Sequence, residues 1–198
     1  MTDLNATNVK LSRELVAVNQ RVEMLEAYSH RADIIITGMV SSFAEAASTS
    51  QSSATGARTA EHAAATETAV LRLLNNERNV TVAPQDISVA HILSTKKKTG
   101  GDSTGPAPVI VRFTSLKVRD TVYRARLALK GRERNIYINE HLTKEGAKLF
   151  HEARQLVKQK RLHSSWTNNG VVYVKKSGDN SSRPLRVNSA LELQNSAS

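Results

Sequence analysis

The sequence predicts an α+β protein: an N-terminal coiled-coil helix, then two small α+β units. Three observations predict this class. A heptad pattern of Leu and Val runs through residues 4–29, strand-like and helix-like segments follow in the order β-α-β-β-α-β, and a basic helix with a hairpin comes last. The 198 residues allow one or two small domains. The chain has no cysteine, which excludes a disulfide scaffold and a cysteine-ligated zinc site.

Residues 1–31 are predicted to form a coiled-coil oligomerisation helix. Six Leu and Val side chains repeat with the period of 3.5 that a coiled-coil seam requires: Leu4, Leu11, Leu15, Val18, Val22 and Leu25. Charged residues surround this narrow stripe, so the helix gains little by packing on a globular core. We therefore expect it to pair with copies of itself. The alternative is an amphipathic helix that folds back on its own domain, and the stripe alone does not distinguish a dimer from a trimer.

Residues 32–140 are predicted to form one domain. Strands are expected at 33–40, 86–93, 109–113 and 135–139. One helix follows an Ala/Ser/Thr-rich linker at 41–60, and a second begins after Ser115 as its N-cap and runs to about Leu129. This order at this size is that of the ferredoxin-like fold, which RNA-recognition-motif domains use in a standard or non-standard form.

Residues 141–193 are predicted to form a small basic α+β domain. Thr143 can cap a helix that reaches about Lys160. The Asn169-Gly170 pair marks a tight hairpin turn, and a short strand is expected at 185–187. Asn188 or Ser189 can cap a last helical turn, and residues 194–198 are expected to be a frayed tail.

The positive charge is concentrated in the C-terminal part of the chain. Residues 1–84 carry slightly more acids than bases, whereas residues 85–198 hold 21 Lys/Arg against nine Asp/Glu. A field of this kind attracts polyanions, and nucleic acid is the usual one. A basic protein kept soluble by its charge, and an anionic membrane surface, are the alternatives.

Nucleic-acid binding is assigned to a set of lysines and arginines. Arg119 lies on the same predicted helix as two of them but is not assigned to the set. The candidate residues are Lys96, Lys97, Lys98, Arg112, Arg124, Arg126, Lys130, Arg132, Lys148, Arg154, Lys158, Lys160, Arg161, Lys175 and Lys176. Phe113 is expected in the core rather than under a base. Trp166 has two interpretations, a core anchor or a stacking platform.

Other classes of function are not expected. The sequence has no phosphate-binding P-loop, no metalloprotease helix motif, no dinucleotide fingerprint and no nucleophile elbow. Its six histidines are scattered, so we expect no metal, no cofactor, no small-molecule substrate and no enzymatic activity. No apolar run is long enough to span a membrane, and the N-terminus does not resemble a secretory signal, so an intracellular protein without a membrane partner is expected.

Several stretches resemble the first-open-reading-frame proteins of long interspersed retrotransposons. Residues 25–38 (LEAYSHRADIIITG) resemble the junction of coil and first strand in that family, and residues 109–114 and 123–126 its third strand and second helix. Residues 136–143, 149–154 and 166–175 (WTNNGVVYVK) are similar to the C-terminal domain shared by invertebrate members and baculovirus few-polyhedra proteins.

The resemblance covers about residues 4–193 and implies a function. It implies a homo-oligomer, with a trimer favoured over a dimer, that binds single-stranded RNA or DNA without strong sequence preference and acts as a nucleic-acid chaperone. It places the protein in a cytoplasmic ribonucleoprotein, with the nucleus as a second compartment. In the family, arginines on the third strand and second helix contact nucleic acid, and these positions fall on Arg112 and Arg124. The competing interpretation is a few-polyhedra-like interaction protein whose basic half binds an acidic protein partner.

Overall fold

The computed structural model describes residues 2–39, 57–78, 80–93, 107–126, 136–179 and 181–197. They form a mixed α+β protein with a long N-terminal helix and two antiparallel sheets. The chain divides into two compact units, one made of Met1–Arg31 with Leu142–Ser198 and the other of Ala32–His141. Among the helices in these ranges, none is both long and apolar enough to cross a membrane.

The Ala32–His141 unit contains a four-stranded sheet and two helices. Its strands are β1 (Asp33–Thr37), β2 (Ile87–Ile92), β3 (Val109–Phe113) and β4 (Tyr137–Glu140), and its helices are α2 (Ala57–Arg78) and α3 (Leu116–Ala125). The sheet has the order β2-β3-β1-β4, and each neighbouring pair is antiparallel.

One face of this sheet packs against both helices. Ile34 and Ile36 of β1 are fully buried in a core with Val70 of α2 and Val122 of α3. Phe113 is 2% exposed in the same core, as expected. Because successive residues of a strand point to opposite faces, the residues between the core positions, such as Arg112, lie on the other face.

The other unit combines α1 (Thr2–Ser29) with the C-terminal elements. These are α4 (Lys144–Lys158), β5 (Ser164–Asn168), β6 (Val171–Lys175), β7 (Leu185–Val187) and α5 (Ala190–Ser196). The strands form an antiparallel sheet in the order β5-β6-β7, and α4 packs on it through a core that includes Ala153, Val172 and Val174. The β5–β6 turn has positive φ at Asn169 (53°) and Gly170 (78°), which is the two-residue hairpin turn that Asn-Gly predicts.

Side-chain caps fix the start of three helices. The hydroxyls of Ser115, Thr143 and Ser189 accept hydrogen bonds from the backbone N–H groups of Lys117, Gly146 and Glu192. The first two caps were predicted, and Ser189 was one of two candidates. Each cap satisfies an N–H group that has no partner inside its helix.

Helix α1 contacts the C-terminal elements near its own C-terminal end and leaves the predicted seam uncovered. The Thr143 hydroxyl donates to the Glu23 carboxylate, and Ala27 lies beside Gly170. The six seam residues are between 55% and 80% exposed: Leu4, Leu11, Leu15, Val18, Val22 and Leu25. Within the described chain, α1 therefore does not bury this stripe on its own unit.

Several element ends differ from the predictions. Strand β1 ends at Thr37 instead of residue 40, because Gly38 turns the chain with a φ of 81°. Helix α4 ends at Lys158, two residues before Lys160, which itself has a φ of 61°. The tail predicted from residue 194 is helical through Ser196, because Leu193 is buried and anchors α5. Leu129 lies outside the described residues, and the three-domain division remains a prediction.

Candidate nucleic-acid interface

Arg112 lies on the third strand, as predicted, on the sheet face opposite the helices, and is held there by a buried carboxylate. Its Nε and Nη2 donate to the two carboxylate oxygens of Asp33 at 2.7 and 2.9 Å. The Arg112 side chain is 48% exposed, whereas that of Asp33 is 1% exposed. The Nδ1 of His141 is 3.1 Å from Asp33 Oδ2. The pair is bidentate, a geometry that fixes the orientation of the guanidinium.

The ionisation of this cluster follows from its contacts. Burial acts to raise the pKa of Asp33, but hydrogen bonds and charges from Arg112 and His141 outweigh it and hold that pKa below its usual value. Hydrogen bonding to Asp33 in turn raises the pKa of Arg112. Arg112, which was predicted to contact phosphate, is therefore already paired with one carboxylate.

The two arginines of α3 and Arg126, which follows the helix directly, occupy different environments. Arg124 is exposed, as a phosphate contact requires. Arg126 lies 3.6 Å from the Tyr123 ring centroid and donates to the Tyr123 carbonyl oxygen at 2.7 Å. Arg119 is 2% exposed and donates to Asp120 at 2.9 Å and to Glu140 at 2.8 Å.

Arg119 therefore does not belong to the surface cations among which the sequence placed it. Its place on α3 is one helical turn before Val122, on the side that faces the sheet. Glu140 on β4 has a side chain that is 1% exposed and meets it there. The Arg119 Nε has no hydrogen-bond partner among the described residues. Arg119 is therefore a buried residue that forms an ion pair inside the unit.

The C-terminal end of α4 carries an exposed group of cations. They are Arg154, Lys158, Lys160 and Arg161, and all four are exposed. Residues 153–178 contain six Lys/Arg and no Asp/Glu, so no carboxylate within this stretch neutralises the group. Earlier in α4, Lys148 is paired with Glu145 at 2.7 Å. Cations at the C-terminal end of a helix are also favoured by its dipole.

The outer face of the second sheet carries aromatic and basic side chains. Trp166 is partly buried, lies outside the hydrophobic core of its unit, and stacks on Tyr173 with ring centroids 5.9 Å apart. The interpretation of Trp166 as a core anchor is therefore wrong. Lys175 is partly buried on the same strand as Tyr173, and Lys176 next to it is exposed.

Other candidate residues cannot be placed, and some residues of interest were not predicted. Lys96, Lys97, Lys98, Lys130 and Arg132 lie outside the described residues. Tyr137 is 59% exposed on the same sheet face as Arg112, and Arg186 is exposed on β7. The alternation of Ile136 and Ile138 with Tyr137 was a signal that could have placed Tyr137 opposite the core. In the described part of the chain, no group of three His, Asp or Glu side chains could hold a metal ion.

No protein-family model matches this sequence, and no curated protein matches it significantly. What the chain does is therefore inferred from its own side chains, their exposure and their charge.

Proposed function

We propose that the protein is a self-associating, largely sequence-nonspecific binder of single-stranded nucleic acid. The observation that carries this proposal is the exposed cation group Arg154, Lys158, Lys160 and Arg161 in a stretch without carboxylates. Cations that lack acidic neighbours are available to phosphates, and their neutralisation of a nucleic-acid backbone releases counterions. Phosphates carry no base identity, so such binding tolerates any sequence.

The Ala32–His141 unit gives a second line of support. Its strand order β2-β3-β1-β4, with α2 and α3 on one face, supports a ferredoxin-like domain of the non-standard RNA-recognition-motif type. The opposite face presents Arg112 and Tyr137. Together with the resemblance of residues 25–38 and 166–175, these features favour a retrotransposon-type ribonucleoprotein component with nucleic-acid chaperone activity.

Self-association is the third part of the proposal. An exposed heptad stripe on α1 favours a coiled coil of identical chains, and the family resemblance favours three. Several linked copies bind one strand with an avidity well above that of a single copy, because each later contact is intramolecular. Weak phosphate contacts repeated in this way suit a chaperone that must also release its strands.

The direct test is a salt titration of binding to labelled single strands. The variant carries Arg154→Ala, Lys158→Ala and Arg161→Ala, and its matched control carries Lys10→Ala, Arg13→Ala and Arg21→Ala on α1. Both remove three positive charges from exposed positions, but the three on α1 have acidic neighbours along the helix. We expect the slope of log affinity against log salt to fall by about 0.7 for each phosphate that the variant can no longer neutralise. The control should keep most of the slope of the original chain.

Different outcomes separate the proposal from its rival. Similar affinities for several unrelated sequences support nonspecific binding, and weaker competition by duplex supports single-strand preference. The absence of binding at moderate salt would contradict the proposal and favour an acidic protein as the partner of the basic half. Equal weakening in variant and control would reject the α4 cation group as the site.

A further inference from the structure

We propose that the outer face of the β5-β6-β7 sheet is a base-stacking platform formed by Trp166 and Tyr173, with Arg186 beside them as a phosphate contact. This rests on the proposed function and deepens it, because it adds a contact to bases where that function invokes phosphates alone. The occupant is one or two unpaired bases of a single-stranded nucleic acid.

Strand register aligns the three side chains in one row. Trp166 pairs with Tyr173 across β5 and β6, and Tyr173 pairs with Arg186 across β6 and β7. The neighbouring β6 residues Val172 and Val174 are buried in the core on the α4 side. Alternation along each strand therefore puts the row on the face opposite α4.

The geometry of the two rings suits a flat ligand. Their planes are 14° apart and their centroids are separated by 5.9 Å, so they are offset and nearly parallel. Neither ring belongs to the hydrophobic core, and both remain partly exposed. A base can extend this stack, and base–aromatic stacking is tolerant of sequence because every base has a π-face.

The charges around the row complement a nucleic-acid backbone. Arg186 is exposed at the end of the row, and its Nε donates to Asn188 Oδ1 at 2.9 Å, which orients the guanidinium. Lys175 lies further along β6, opposite Ser164. None of the three strands contains a carboxylate.

The chain offers its own reporter, because Trp166 is its only tryptophan. The full chain is titrated with two oligonucleotides of equal length. One is oligo(dT), and the other is an abasic strand that keeps every phosphate. Binding is followed by the anisotropy of a label on each strand, and contact at the platform by the intrinsic fluorescence of Trp166. Both strands are titrated to saturation at low salt. We expect oligo(dT) to quench the tryptophan, and the bound abasic strand to leave its fluorescence unchanged.

Three variants extend the test to affinity. Trp166→Leu and Tyr173→Leu remove one ring each, and Arg186→Gln removes an exposed charge and leaves both rings in place. Each ring variant should bind oligo(dT) roughly 5- to 100-fold more weakly and the abasic strand with unchanged affinity. Arg186→Gln should weaken binding of both strands. Leu191→Ala is the matched control, because Leu191 is an exposed apolar residue of α5 outside the three strands of the platform.

The two proposals fail in different ways. If labelled oligo(dT) binds but neither quenches Trp166 nor binds more weakly to the ring variants, the platform is rejected and phosphate binding stands. If the abasic strand quenches as strongly as oligo(dT), the stacking contact is likewise overturned. If neither strand binds the original chain, the proposed function itself fails.

Discussion

At the residue scale, Asp33 and Glu140 are buried carboxylates that hold arginines of the Ala32–His141 unit. Asp33 pairs with the half-exposed Arg112 on the outer sheet face, and Glu140 pairs with the buried Arg119 on the helix side. The two pairs have different energetics, because water can still reach Arg112 but not Arg119. Desolvation makes a buried pair costly to break, whereas a half-exposed partner is partly rehydrated when its carboxylate is removed.

The pairing of Asp33 should make stability depend on pH. Its pKa is lowered in the folded chain, so its contribution is present above the ordinary value of 3.8 and is lost as the pH falls below that value. Asp33→Asn should lower the free energy of unfolding near pH 7 by about 1–3 kcal/mol. It should also flatten the acid limb, which is the fall of this free energy as the pH becomes acidic. Urea unfolding between neutral and acidic pH measures both effects. Asp179→Asn at an exposed position is the control, and an unchanged acid limb in Asp33→Asn would contradict the assignment.

The Arg119–Glu140 pair should behave as a single unit. Arg119→Met should cost about 3–5 kcal/mol, because it removes the arginine that pairs with the buried Glu140 carboxylate. Glu140→Leu should cost less, because Arg119 keeps its ion pair with Asp120. The double variant should cost much less than the sum of the two, since it replaces the pair by apolar side chains of similar size. A double-mutant cycle by chemical denaturation measures this coupling. Additive costs would show that the two side chains are independent.

At the element scale, the β5–β6 hairpin depends on the conformation of two turn residues. Asn169 and Gly170 both have positive φ, and this turn sets the register that pairs Trp166 with Tyr173. The Thr143 cap acts on the same unit, since its hydroxyl both accepts from Gly146 and donates to Glu23. Local backbone geometry thereby positions the aromatic row and the start of α4.

Gly170→Ala should destabilise the hairpin by about 1–2 kcal/mol. A Cβ at this position would lie 3.9 Å from the Cβ of Ala27, an ordinary contact, so the cost arises from the φ of 78° and not from a clash. Asn169→Gly is the matched control, because glycine adopts positive φ without strain, and its stability should stay within about 0.5 kcal/mol of the original. Thermal unfolding of the two variants makes the comparison. Equal stability of Gly170→Ala and the original chain would rule out backbone strain at this turn.

At the scale of the whole molecule, the exposed stripe of α1 is the feature that a single chain leaves unexplained. Its residues are more than half exposed along the full helix, although α1 also contacts the C-terminal elements through Glu23 and Ala27. The contacts near Glu23 and the seam therefore use different sides of the helix. A partner helix can cover the seam without displacing the contacts inside the unit.

Charges placed on the seam should dissociate the assembly without unfolding the chain. Leu11→Glu with Val18→Glu should reduce the mass measured by light scattering to that of one chain, because glutamates would meet at the seam. Both residues are 57% exposed in the single chain, so its fold should tolerate the change. Val9→Glu with Val16→Glu, at 50% and 55% exposure on the side of α1 away from the seam, is the matched control and should keep the original mass. A single-chain mass for the original protein would refute the coiled coil.

Local sequence signals determined much of the element pattern. The strands at 109–113 and 185–187, the caps at Ser115 and Thr143, and the Asn-Gly turn were predicted where the structure has them. These features depend on neighbours within a few residues: the period of two in a strand, one hydroxyl at a helix start, and positive φ at a turn. The heptad stripe of α1 is likewise a local pattern, because it can be recognised along a single helix. The structure shows that this stripe is exposed and does not show what covers it.

Only the tertiary structure decided which cations face solvent and which partners they have. Arg119 and Arg124 lie on the same helix, yet the side of α3 on which each lies buries one against Glu140 and exposes the other. Asp33 and Arg112 are 79 residues apart and Arg119 and Glu140 are 21 apart, so each pair meets only because separate elements pack together. Burial and pairing between distant residues depend on the packing of whole elements, and no pattern within a few residues of the chain encodes them.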